Sequence, residues 1–393
     1  MADTGALKAR VRAEVDRRAE QLVEISHQIH ARPELGNQEY FAHDLLTDAL
    51  EGVGLAPERK AYELDTAFAA RVGEHGPRVA VLCEYDALPE IGHACGHNVI
   101  AAAGLGAGLA AATVAQEMGG RLLVLGCPSE ELPPLGKIEL MRRGAFDGVA
   151  AAVMVHPADA DLIAIDALAA MGVQVEYHGR PAHAAAAPEH GRNALDAAVL
   201  GYTAVAALRQ HIAEDERVHG IFLKAGERAN VVPDHVVARW VGRSGTRGRL
   251  DLLMPRVISC LEGGATAAGC AIEVIQDGRV DEVRTNRALV NAYVRNMAAL
   301  GRVVGDPAHG GGTTGSTDFG SVSYLLPAIH PLIALAPPGV KIHEPAFAAA
   351  AASEAADRAV IDGAKALAMT IVDYWTDESL RASASAEFGA SSG

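Results

Sequence analysis

The sequence predicts an α/β protein: a mainly parallel sheet flanked by helices, interrupted by an inserted ferredoxin-like α+β domain. Three observations carry this. Continuous apolar runs of strand length, at Arg78–Glu84, at Arg121–Cys127 and over 150–155, alternate with helical patterns. Such runs mark strands buried on both faces, as in parallel sheets. The middle of the chain instead alternates apolar and polar residues in the order βαββαβ, the split unit of ferredoxin-like folds. The first pattern then resumes near Asn286. With 393 residues and a typical domain of about 100–200, two domains are expected. They are a discontinuous one over 1–169 and 286–377, and an inserted one over 170–285. The Ser/Ala-rich end, 378–393, reads as a disordered tail.

Taken in order, 6–31 and 38–53 are amphipathic helices joined by the turn Arg32-Pro33-Glu34-Leu35-Gly36. The strand Arg78–Glu84 leads into Tyr85-Asp86-Ala87-Leu88-Pro89, Arg121–Cys127 into Pro128-Ser129-Glu130-Glu131, and 150–155 into His156-Pro157. Ligand sites of open α/β sheets lie at these carboxyl ends. In the insert, strands are expected over 170–178, 220–225, 235–241 and 270–276, with helices over 193–212 and 249–268. A strand over 331–335, the segment Lys341-Ile342-His343-Glu344-Pro345 and a helix over 348–375 complete the chain.

The 34 basic against 49 acidic residues give a net charge of −15. That argues against nucleic acid and against an anionic membrane surface as partners. Five cysteines in a chain this long are no disulfide framework, and the charged N-terminus lacks the apolar core of a signal peptide. A cytoplasmic location is expected. The stretch 99–115 imitates a membrane span. It is Ala- and Gly-rich and short of about 20 residues, so it reads as a buried core helix. Its Gly104-x-Gly106-x-Gly108 spacing reads as packing rather than a dinucleotide loop.

The chemistry gathers at the strand ends. Cys95 and His97, two apart in a loop, can chelate one metal. Glu130 and Glu131, His156 and His343 follow other strands, so one crevice is offered thiolate, imidazole and carboxylate. This mixture suits zinc, and also manganese, cobalt or nickel. Five ligands exceed what one tetrahedral ion needs, which points to two divalent ions. Of the two adjacent glutamates, one can hold metal while the other moves a proton. Cys83, Cys127, Cys260 and Cys270 lie in apolar runs as inert buried thiols.

The segments HARPELGNQE (30–39), YDALPEIGHACGHN (85–98), CPSEE (127–131), MVHP (154–157), GRPAHAAAAPEHGRNALDA (179–197), NVVPD (230–234), GSTDFGSVSYLLPAIHP (315–331) and KIHEPAF (341–347) occur in this order. Together they resemble the dinuclear metallopeptidase and amidohydrolase family of aminoacylases, acetylornithine deacetylase and carboxypeptidases. The branch most resembled holds p-aminobenzoyl-glutamate hydrolase and the aminoacylase-like β-alanyl-dipeptide hydrolases. The resemblance implies a hydrolase of linear amide or peptide bonds, acting on a small N-acyl amino acid or dipeptide-like substrate. It implies Cys95, His97, Glu131, His156 and His343 as metal ligands, Glu130 as general base and Asp86 as the group orienting a ligand. It also implies a homodimer through the inserted domain, with His183 reaching the partner's site, and Asn230 touching substrate.

Two departures stand out. Asn98 follows Cys-Gly-His where related branches often have Asp, and Leu132-Pro133-Pro134-Leu135 replaces a glycine-rich run. Arg243 is either a partner for a substrate carboxylate or a plain surface arginine. Gly310–Gly315 reads as a backbone loop beside the substrate, with Gly315 as its contact, ahead of a phosphate cradle. His30 is expected to be a structural hydrogen-bonder and His93 to sit near the metal loop. Two other functions remain open: a thiol hydrolase with Cys95 as nucleophile and His97 as base, and a non-catalytic binding member of the same fold.

Overall fold

The computed structural model describes residues 3–307 and 314–391. The chain forms two compact units, Met1–Asp166 with Val283–Gly393, and Ala167–Glu282. These divisions lie three residues before the expected ones.

The first unit is built on a six-stranded sheet. Its strand order is Glu58–Arg59, Phe68–Val72, Arg121–Cys127, Arg78–Glu84, Val149–Val153, Ala328–Ile329. The last four strands run parallel, and Phe68–Val72, which the sequence reading passed over, pairs antiparallel with Arg121–Cys127. Two short parallel strands, His156–Ala158 and Leu332–Ala334, continue beyond it. Along Arg78–Glu84, Val79, Val81 and Cys83 enter one apolar core while Ala80 and Leu82 enter another. Both faces are therefore dry, and the run is apolar throughout because of it.

Helix His97–Ala115 packs in the larger core. It is long and apolar enough to cross a membrane, but 89% of its most apolar stretch is buried within the protein. Its glycines are packing glycines: a Cβ at Gly104 would stand 2.7 Å from the Leu82 carbonyl oxygen.

Three expectations need correcting. The first helix is two, Thr4–Arg17 and Ala19–Ala31, broken at Arg18. The last is also two, Pro345–Ala350 and Glu354–Thr376. The tail is not disordered over 378–391 but forms the helix Glu378–Ser391. Leu380 and Ala384 are buried, and Asn286 Nδ2 donates to the Ala384 carbonyl at 2.9 Å. The Glu387 carboxylate accepts from the backbone N–H of Arg287 and Ala288, at 2.7 and 3.1 Å, capping the helix Arg287–Ala298. Positions 380, 384 and 387 recur at helical spacing, a signal masked by the Ser/Ala composition.

The second unit is a four-stranded antiparallel sheet in the order Ala271–Val280, Ala169–His178, His235–Ser244, Arg217–Lys224. Helices Ala194–Leu208 and Arg247–Ala268 cover one face, over Val173, Val175, Tyr177, Val236, Ala238 and Trp240. Asn193 caps the first helix, its Oδ1 accepting from Leu195 N at 2.9 Å. The other face carries Gln174, Glu176, His178 and His235, partly or fully exposed.

Candidate metal-binding active site

Four chain segments bring six donor side chains together in the first unit. Cys95 closes the loop after Arg78–Glu84. Gly96 then takes a left-handed turn (φ 79°) that lets His97 open the next helix. Glu130 and Glu131 follow Arg121–Cys127 through Ser129, itself left-handed (φ 51°). His156 follows Val149–Val153. His343 also sits at positive φ (67°), and its N–H donates to the Ala94 carbonyl at 2.8 Å, tying it to the Cys95 loop.

Three overlapping sets each have donor atoms within 4.8 Å of one another: Cys95, His97 and His156; Cys95, Glu131 and His343; His97, Glu130 and Glu131. Cys95 Sγ is 3.4 Å from His156 Nε2. Glu131 Oε1 is 3.2 Å from His343 Nε2 and 3.9 Å from His97 Nε2.

The imidazoles are aimed from behind. His97 Nδ1 donates to Asp86 Oδ1 at 2.8 Å, and Asp86 Oδ2 accepts from Glu131 N at 3.0 Å. His156 Nδ1 donates to the Pro157 carbonyl at 2.8 Å. Both rings therefore keep the proton on Nδ1 and turn a bare Nε2 toward the cluster. His97 Nε2 is buried with no hydrogen-bond partner among the described residues. An orphaned lone pair among a thiol, two imidazoles and carboxylates is what a divalent metal satisfies, so the residues present fit one.

The electrostatics separate the two glutamates. Burial pushes the Glu130 carboxyl well above its usual range, with Glu131, Glu84 and Asp318 adding to it. Burial alone would raise Glu131 too, but the His343 ring at 3.2 Å and the neighbouring His97 ring bring it below the usual value. Neighbouring carboxyls driven in opposite directions suit a proton carrier beside a charged ligand. Burial lowers His156 to about 4, His97 assisting. Burial also pushes the Cys95 thiol well up, His97 pulling the other way and Glu131 adding to the rise.

Several neighbours escaped the sequence reading. Glu84, Lys137 and Asp318 are fully buried, with the Lys137 ammonium bridging both carboxylates. Glu84 Oε2 lies 3.7 Å from His97 Nε2. Glu84 had a signal, since it ends a strand as the other donors nearly do. Lys137 had none, because a lysine in a helix reads as surface. His330 is buried between His156 and Phe319, with ring centroids 5.4 and 4.7 Å away.

The other expected residues fall as follows. Asn98 Nδ2 donates to Ser26 Oγ at 2.9 Å and to the Ala351 carbonyl at 2.8 Å, so it ties helices together and leaves the cluster. His30 bonds the Ala348 carbonyl at 2.8 Å, a structural role. His93 is buried beside His30 and pushed by burial down to about 3, outside the six. Gly315 packs against Ile165, and 310–313 lie outside the described residues. In the second unit His183 and Asn230 share one corner, where Ala184 N donates to the Asn230 carbonyl at 3.0 Å. Arg243 stands apart from them, opposite Ala170 and Arg217 in the sheet.

The model of Peptidase family M20/M25/M40 matches residues 83–372. The Xaa-Arg dipeptidase of Mus musculus is 37% identical over 383 residues, 93% of this chain and 88% of that protein. A p-aminobenzoyl-glutamate hydrolase chain of Escherichia coli (strain K12) is 32% identical over 309 residues, 73% of this chain and 64% of that one. Among solved structures, a putative aminohydrolase from methicillin resistant Staphylococcus aureus superposes with TM-score 0.78 at 17% identity, covering 93% of this chain and 99% of that one. A Bacillus subtilis protein described as a dinuclear metal binding peptidase from the M20 family superposes with TM-score 0.70 at 18% identity, covering 91% and 98%. The chain belongs to peptidase family M20/M25/M40 and is a hydrolase of amide or peptide bonds.

Proposed function

We propose that this protein hydrolyses the amide bond of a dipeptide or N-acyl amino acid, using two divalent metals, zinc foremost, held by Cys95, His97, Glu131, His156 and His343. The observation that carries the reading is the gathering of these donors in overlapping sets, one of which joins His97 and Glu131 to Glu130, a carboxyl that burial holds well above its usual range. When bound, the metals polarise the carbonyl and acidify water. Glu130 takes the proton from the attacking water and returns it to the departing amine. Asp86 keeps His97 in the ligating tautomer. His183 and Asn230, which share one corner of the second unit, serve substrate. The dipeptidase relatives favour a dipeptide, with a basic carboxyl-terminal residue as the leading candidate.

The test is a hydrolysis screen of Xaa-Arg, Xaa-Lys and β-alanyl dipeptides, N-acetyl amino acids and p-aminobenzoyl-glutamate, with zinc, manganese, cobalt or nickel added. Dipeptides should turn over fastest, chelator should abolish activity, and metal should restore it. The Cys95–His97–Asp86 alignment also suits a thiol hydrolase. A metal-free enzyme that keeps its activity and loses it to alkylation would establish that reading instead. A correctly folded, metal-loaded protein that hydrolyses none of these would point to the binding role.

The same reading includes a dimer. Strand Arg217–Lys224 is a sheet edge whose Ile221 and Leu223 are 61% and 54% exposed, and its Phe222 ring lies 6.0 Å from that of Tyr202 on the helix Ala194–Leu208, which also exposes Val199 and Leu200. Edges of this kind pair. Inactive His183→Ala and Glu130→Gln chains, once exchanged, should regain up to about half the activity per mixed dimer, one site of two being whole. Proven exchange without recovery would take His183 out of the neighbour's site.

A further inference from the structure

We propose that the open face of the four-stranded sheet carries a separate site for a divalent transition-metal ion, formed by Glu176, His178 and His235 wholly within the second unit. His178 and His235 are directly opposite one another on antiparallel strands. Glu176 precedes His178 by two residues, so the pleat puts both side chains on the same face. The two rings stack at 5.1 Å with 7° between their planes. Glu176 Oε2 accepts from His235 Nε2 at 2.9 Å. One donor atom from each of the three lies within 4.8 Å of the others. Zinc–ligand bonds of about 2.0–2.2 Å require donors about 3.3 Å apart. Small rotations of these partly or fully exposed side chains on a fixed sheet close that difference.

Two further observations point to a cation. Glu273, on the strand Ala271–Val280, is directly opposite Glu176 and exposed. Like charges so placed repel, and a bound cation relieves them. Lys224 Nζ lies 3.5 Å from His235 Nδ1. An ammonium only donates, so it holds Nδ1 as the acceptor and the ring proton on Nε2. That proton, now shared with Glu176, is the one a metal displaces. The charge of Lys224 opposes a cation, but Glu227 stands 3.9 Å from it. Two imidazoles and a carboxylate select zinc, nickel, cobalt or copper over magnesium or calcium. The ion would clamp the two central strands and keep an outward position for water or a further ligand.

The experiment compares zinc bound per chain by whole wild-type protein and by the His178→Ala and His235→Ala variants, after equilibrium dialysis at buffered micromolar free zinc. All three keep the crevice donors, so crevice metal cancels in the difference. Each variant should hold one zinc fewer per chain than wild type. If the crevice holds none, wild type keeps one and the variants none, and this site stands alone. Equal zinc in all three overturns the proposal. His178→Gln and His235→Asn, with melting curves in chelator, guard against a folding defect.

Discussion

Among the described residues, imidazoles and carboxylates gather in two clusters, and these differ in what surrounds them. The crevice cluster sits where strands run out, with Cys95, His97 and His156 buried. The sheet-face cluster sits on the face of a strand pair, at the end where His178 closes one strand and His235 opens the other, with water on one side. Water can satisfy Glu176, His178 and His235, so the second cluster costs the fold little. The first includes a bare buried nitrogen on His97, and an unmet buried polar group costs about 1–3 kcal/mol. In return His97 and His156 are each fixed by another buried group, and Glu130 and Glu131 are driven apart in pKa. Burial therefore separates a preorganised reaction centre from a surface where the same donors only gather an ion.

The sharpest test of that contrast is Glu130→Gln, which keeps shape and removes basicity. Turnover should fall by about 10²–10⁴-fold while metal content stays near normal, since the glutamine still fills the site. Kinetics paired with elemental analysis check both halves. Turnover close to wild type would show that burial of Glu130 serves packing rather than proton transfer.

How far the sequence announced this arrangement follows from where each signal sits. Arg78–Glu84 and Arg121–Cys127 were legible to the residue, because burial on both faces makes a strand apolar throughout. The six converging donors were legible as strand-end residues carrying reactive side chains. Phe68–Val72 was not, being a short edge strand with an arginine inside it. Lys137 was not, because its burial depends on Glu84 and Asp318, remote in sequence. The 378–391 helix was not, since Asn286 and Glu387 secure it through tertiary hydrogen bonds that composition does not encode. The sheet-face cluster depends on register: His178 meets His235 only once the antiparallel pairing is known.

The smaller effect concerns orientation. Asp86 accepts twice, from His97 Nδ1 and from Glu131 N. Asparagine in its place has one acceptor oxygen and one donor group. With the oxygen toward His97, the amide NH₂ confronts the Glu131 N–H; with the oxygen toward Glu131, it confronts the His97 Nδ1 proton. Either way one of two adjacent ligands loses its aim while no ligand atom is removed. Asp86→Asn should weaken metal binding by about 10–100-fold, the usual cost of losing the group behind a ligating histidine. Glu130 is untouched, so turnover should return toward wild type at saturating metal. The half-activation concentration in a zinc titration of metal-free enzyme should rise by the same factor. An unchanged half-activation concentration would mean that burial alone fixes His97 and Glu131, and that the crevice needs Asp86 no more than a surface cluster needs its solvent.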